Sequence, residues 1–140
     1  MTRLRHIAFA ALGLTAFGAA LTGCARDIKP PDTPGVCWLM TGSPDKPMFA
    51  PVAAYNANLY SCASQLEAVR MRRGVEVVGA YNGNFIFVTN DAIQTAERFT
   101  GNRAWVFSTQ QRAELQKQIR DGLKADPELG TVKAASQPGK

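Results

Sequence analysis

Apolar and polar positions alternate along the chain with two different rhythms. Between residues 58 and 73, Leu59, Cys62, Leu66 and Val69 recur at intervals of three and four, which places them on one helical face. Asn56 or Asn58 is placed to cap the start of that helix. Arg70, Arg72 and Arg73 crowd its end, where cations suit the helix dipole, and Gly74 supplies the stop. Between residues 75 and 89 the rhythm changes. Two apolar runs, VEVVGAY and NFIFVT, flank Asn82-Gly83, the strongest short hairpin signal, because both central residues of a type I′ turn need positive φ. In that register Tyr81 faces Asn84, Gly79 faces Ile86 and Val77 faces Val88. Val78, Ala80, Phe85 and Phe87 point to the other side. Both sides are largely apolar, so both need a cover.

The remaining segments are read by the same rules. Residues 36–40 (VCWLM) form a short apolar run bounded by turn residues and read as a strand. Residues 41–47 (TGSPDKP) are turn chemistry, and 48–54 stay unassigned because Pro51 interrupts either regular structure. Asn90-Asp91 suits a helix cap, giving an expected helix to about residue 99, followed by a strand at 103–107. Ser108-x-x-Gln111 matches a capping box and opens a helix to about residue 124, with a narrow stripe of Leu115, Ile119 and Leu123. Residues 126–140 lack aromatics, contain Pro127 and Pro138, and are expected to be disordered.

The expected class is therefore α+β: a small antiparallel sheet with helices packed on it. The order strand, helix, strand, strand, helix, strand suggests a ferredoxin-like βαββαβ arrangement followed by a C-terminal helix. A plain antiparallel meander with packed helices is the alternative.

The N-terminus has a different character. Arg3 and Arg5 precede an uncharged apolar run at 7–21, and small residues lead to Cys24. The run is about 15 residues, whereas a membrane-spanning helix needs about 20. A cleaved export signal is the reading this favours over an uncleaved signal anchor. Leu21-Thr22-Gly23-Cys24 resembles the lipobox of bacterial lipoproteins: Leu, a small residue, Gly or Ala, then Cys. The resemblance covers the first 24 residues. It implies a diacylglyceryl thioether on Cys24, cleavage before it by signal peptidase II, and a membrane partner through the lipid anchor. Two or three acyl chains, at about 0.8 kcal/mol per buried methylene, give stable anchoring. Ala25 stands where the family's inner-membrane retention signal would place Asp. The implied location is the outer membrane facing the periplasm, with the inner membrane as the alternative.

This organisation divides the chain into a signal at 1–23, a lipidated tether at 24–35, one α+β domain at 36–125 and a tail at 126–140. The tether, ARDIKPPDTPG after Cys24, is expected to be extended and mobile. Of three cysteines, Cys24 is assigned to lipid by the resemblance, which leaves Cys37 and Cys62. An even pair in an oxidising periplasm is expected to form a disulfide. Two separate buried thiols are the alternative.

Composition narrows the chemistry. Removing Arg3 and Arg5 with the signal lowers the formal charge from +5 to +3, and nothing resembles the dense basic face of a nucleic-acid binder. The single histidine, His6, falls in the signal, so the mature chain has no residue for Ser-His-Asp or Cys-His catalysis or for histidine-ligated zinc. No catalytic residue, metal or cofactor is expected. Ser43-Pro44-Asp45-Lys46 spells the Ser-x-x-Lys of penicillin-binding enzymes but reads as a turn. Glu67, Glu76, Asp91 and Glu97 read as solvated surface charge. Arg70, Arg72 and Arg73 either complement the helix dipole or meet an acidic partner. Tyr81, Phe85 and Phe87 are either core or, if helices cover one side only, part of a partner surface.

The order of elements also resembles the sporulation-related repeat (SPOR) domain, which binds glycan-stripped peptidoglycan. The likeness lies in a strand, a helix through Leu66-x-x-x-Arg70, then Tyr81 and Phe85-Ile86-Phe87-Val88 before a second helix. The long 41–56 connection and the cysteine pair depart from it. Two functions follow as expectations: a non-catalytic envelope lipoprotein serving as accessory or scaffold to an envelope protein partner, or a peptidoglycan-binding module.

Overall fold

The structure, a computed structural model, describes residues 27–43 and 45–125. The expected signal, the Cys24 lipidation site and the expected 126–140 tail lie outside them. The elements are β1 (Cys37–Ser43), β2 (Lys46–Ala53), α1 (Leu59–Arg73), β3 (Val77–Tyr81), β4 (Asn84–Val88), β5 (Ile93–Ala96), β6 (Ala104–Trp105) and α2 (Thr109–Ala125). The strands form one sheet in the order β2-β1-β3-β4-β5-β6, with every neighbouring pair antiparallel. The class is α+β.

The ferredoxin-like order is not the one formed, for two local reasons. First, residues 46–53 make a strand despite Pro47 and Pro51. β2 is an edge strand, where a missing N–H costs no ladder bond on the open side. This extra strand reverses the chain before α1, so β3 runs antiparallel to β1 instead of parallel. β2 and β3, both antiparallel to β1, are parallel to each other and joined by α1. Second, the expected helix at 91–99 is strand β5. Asn90-Asp91 sits in a turn, where the Thr89 N–H donates to the Ala92 carbonyl at 2.9 Å and the Ala92 N–H to Thr89 Oγ1 at 3.0 Å. Asn and Asp favour turns for the same side-chain reasons that favour caps.

Other elements follow the sequence closely. The β3–β4 register pairs Val77 with Val88, Gly79 with Ile86 and Tyr81 with Asn84. Asn82 (φ 46°) and Gly83 (φ 74°) form the turn. The Asn58 side chain accepts from the Ser61 N–H at 2.9 Å, and the Gly74 N–H donates to the Arg70 carbonyl. Ser108 and Gln111 make the reciprocal capping box at 2.9 and 3.2 Å.

Each face of the sheet carries its own cluster. On the first, Cys62, Ala63, Leu66 and Val69 of α1 pack on Cys37, Leu39, Val77, Tyr81, Ile86 and Val88. A Cβ on Gly79 would overlap the Leu66 side chain and the Trp38 carbonyl, so glycine is what lets α1 sit this close. The Cys37–Cys62 disulfide, with Cα atoms 5.2 Å apart, staples α1 to β1. On the second face Phe85, Phe87 and Ala96 are buried under Ile28, Phe49, Val78 and Phe99.

Ile28 belongs to the segment expected to be a mobile tether. Residues 27–35 instead form a strap across the sheet. The Pro31 carbonyl accepts from the Gly83 N–H at 3.0 Å, and the Gly35 N–H donates to Asn82 Oδ1 at 3.2 Å. Its polar composition suggested a spacer. The packing of Ile28 against Phe85 and Phe87, 57 and 59 residues further along the chain, leaves no local pattern.

Candidate functional site

The polar centre of the molecule is Glu67, which the sequence reading placed on the solvated surface. Its residue is 0% exposed. It lies at the margin of α1's apolar face, one turn beyond Ala63, and α2 closes over it. Arg70 approaches from the same helix, with Nε to Oε2 at 2.7 Å and Nη2 to Oε1 at 3.1 Å. Arg112 approaches from α2, with Nε to Oε1 at 3.1 Å and Nη2 to Oε2 at 3.3 Å. Gln116 Nε2 adds a bond to Oε1 at 2.7 Å. Two bidentate guanidiniums and an amide thus occupy the carboxylate's lone pairs.

Arg112 also ties down the β4–β5 turn. Its Nη1 donates to the Asn90 carbonyl at 3.1 Å and its Nη2 to the Thr89 carbonyl at 2.6 Å. Arg70 Nη1 reaches Asn90 Oδ1 at 3.3 Å, and the Asn90 N–H donates to Glu76 Oε1 at 3.0 Å. Burial pushes the Glu67 carboxyl up, but the bonds from Arg70, Arg112 and Gln116 and the Arg112 charge outweigh it and hold it below the ordinary carboxylate value. The adjoining carboxylate, assisted by Glu76, raises Arg70 further despite partial burial. With every lone pair occupied and the proton held off, Glu67 is a structural anion joining α1, α2 and a turn. One signal in the sequence could have found it. Arg112 sits in the first turn of α2, where a cation opposes the helix dipole and so calls for another partner.

The sequence-derived site residues divide by location. Tyr81, Phe85 and Phe87 are buried, so they are core and form no partner surface. Tyr81 faces α1 and donates its hydroxyl to the Asn56 carbonyl at 2.9 Å. Phe85 and Phe87 lie on the opposite face, in contact with each other and with Phe99. Arg70 is engaged by Glu67. Arg72 Nε donates to the Ala68 carbonyl at 3.2 Å, and Arg73 is exposed at the helix end. Ser43 ends β1 and Lys46 begins β2, so the Ser-x-x-Lys spelling spans a hairpin. Glu76, Asp91 and Glu97 are exposed.

Two surface features were not legible. Tyr55 is 99% exposed and has φ of 64°, an uncommon left-handed conformation for an aromatic residue. Its neighbour Asn56 enforces this. The Asn56 N–H donates to the Gly35 carbonyl, and its side chain bonds Ala53, Ser61 and Gln65. Trp105, on β6, is 61% exposed. A hollow of about 420 Å³ beside β5 is lined by Asn84, Thr95, Glu97, Arg98 and Asn102 among others. Among the described residues no three His, Cys, Asp or Glu side chains converge, and no helix is long and apolar enough to cross a membrane. No protein family, curated protein or solved structure matches the chain.

Proposed function

We propose that this is a lipid-anchored protein of the bacterial cell envelope, non-catalytic, serving as an accessory or scaffold to an envelope complex. The carrying observation is the division of labour among three cysteines. Cys37 and Cys62 are joined to each other, which supports an oxidising compartment. Cys24 remains, at the end of an apolar run and inside Leu21-Thr22-Gly23-Cys24. A disulfide-stapled domain presenting a fully exposed Tyr55 on a rigid support suits contact better than turnover. The SPOR likeness rested on a βαββαβ order that the described residues do not adopt, so peptidoglycan binding is the second outcome to test.

Fractionation tests the reading. Wild-type protein should remain with the membrane after high-salt washing, whereas Cys24→Ser protein exported behind an exchanged signal that is removed without lipidation should appear in the soluble fraction. Retention of Cys24→Ser protein by purified sacculi would replace the scaffold reading with the peptidoglycan one. Membrane retention of that signal-exchanged Cys24→Ser protein in the absence of sacculi would contradict the lipid anchor.

A further inference from the structure

We infer that the second face of the sheet, the one crossed by the 27–35 strap, rests against the bilayer that holds Cys24; this builds on the lipid-anchor reading. The geometry of the chain's exit carries it. Ile28 packs into the phenylalanine cluster on that face, and the strap is tied to the β3–β4 turn through Pro31 and Gly35. The described chain therefore leaves the fold above Phe85 and Phe87, not from the helical side. Two residues lie between Cys24 and Asp27, so three Cα-to-Cα steps give a reach of at most about 10 Å. The headgroup layer on each side of the hydrocarbon is about 5–8 Å thick. An acylated Cys24 consequently holds Asp27, where the strap begins, little more than one headgroup layer from the hydrocarbon, and leaves the domain only a short spacer with which to turn away.

The face carries groups that suit that position. Trp105 pairs with Gln94, which pairs with Phe87, so by register Trp105 shares the phenylalanine side two strands away. It is 61% exposed, an amphipathic ring of the kind that settles at membrane interfaces. The exposed Arg103 lays its guanidinium 3.8 Å over the Phe87 ring, between the cluster and solvent, where a lipid phosphate can meet it. Lys29 on the strap is exposed as well, flanked by Asp27 and, further along, Asp32. The strap is thus not a cationic patch. Anchor geometry and the tryptophan orient the domain, with Arg103 as the phosphate contact. Tyr60, which packs on Phe107 of the helical side, and the exposed side of α2 are left facing away from the lipid.

The chain holds two tryptophans, so Trp38→Phe leaves Trp105 as the sole reporter. Full-length acylated protein carrying this change is placed in phosphatidylcholine vesicles brominated in the upper acyl chain. Trp105 emission should fall by more than about half relative to unbrominated vesicles, as expected for an interfacial ring. A second reporter, Trp38→Phe/Trp105→Phe/Tyr60→Trp, places the fluorophore on the helical side and should lose little. Protein that floats with the vesicles while Trp105 is unquenched overturns the orientation and leaves the anchor intact. Equal quenching of both reporters also overturns it, because the domain would then have no preferred face. Protein that is unacylated by mass and stays in solution removes the anchor, and the orientation with it.

Discussion

The two faces of the sheet are closed by different means. The helical face is fastened by interactions that are expensive to break: a disulfide between β1 and α1, a helix seated against Gly79, and a buried carboxylate shared by α1 and α2. The strap face is closed without a helix or a covalent link, by the partly buried Ile28, Phe49, Val78 and Phe99 and by two hydrogen bonds from the strap to a turn. One face fixes the fold. The other is a light cover, and it is the one from which the chain departs. The contrast explains how a segment with a spacer's composition can still be part of the domain: one apolar residue in the right place and a few backbone hydrogen bonds are enough to hold it.

The comparison is broken most severely at Glu67. Glu67→Ala leaves Arg112 buried without its partner, and such a loss costs about 3–5 kcal/mol. Chemical denaturation should show a loss of that size, with α2 amides exchanging faster. The same group gives a pH signature. Because its folded-state pKa is lowered, its contribution is complete above the unfolded value of about 4.3 and disappears as pH falls through the folded value. Stability measured downward from pH 5 should therefore decline more steeply in wild type than in Glu67→Gln.

Next in size is Cys37→Ser. Opening a loop closed across 25 residues costs roughly 3 kcal/mol in the chain-entropy model, and the protein should titrate a free Cys62 thiol. On the strap face, Ile28→Ala should cost about 1 kcal/mol, less than a fully buried isoleucine, and leave α1 amide protection unchanged. A loss as large as that of Cys37→Ser would erase the distinction between the faces. Smallest is Tyr55→Gly. Glycine removes a left-handed strain of about 1–2 kcal/mol but loses chain entropy, so thermal unfolding should show a small gain or no change.

How much of this was readable from sequence depended on the range of the signal. The hairpin around Asn82-Gly83, the α1 cap and face, and the Ser108–Gln111 capping box are local, and all formed as expected. The cysteine pair was legible by counting. Residues 90–96 misled because Asn-Asp serves turns and caps alike, and only pairing with β4 decides between them. β2 was hidden by its prolines, whose tolerance depends on being at an edge. Glu67 and Ile28 were hard to read for a common reason. Their distant partners, Arg112 and the Phe85–Phe87 pair, lie 45 or more residues away; a glutamate is ordinarily left at the surface, and Ile28 stands alone among charged residues and prolines. For Tyr81, Phe85 and Phe87 the hairpin alternation assigned the sides correctly but could not say that both were covered.

The central claim is that a disulfide-bonded domain is held to a membrane by lipid on Cys24. Intact mass of the protein extracted from its native membrane, with and without reduction and alkylation, tests it most directly. The account predicts a chain beginning at Cys24 with diacylglyceryl and acyl groups added, and two alkylatable thiols that appear only on reduction. A chain retaining residues 1–23 with an alkylatable, unmodified Cys24 would contradict it.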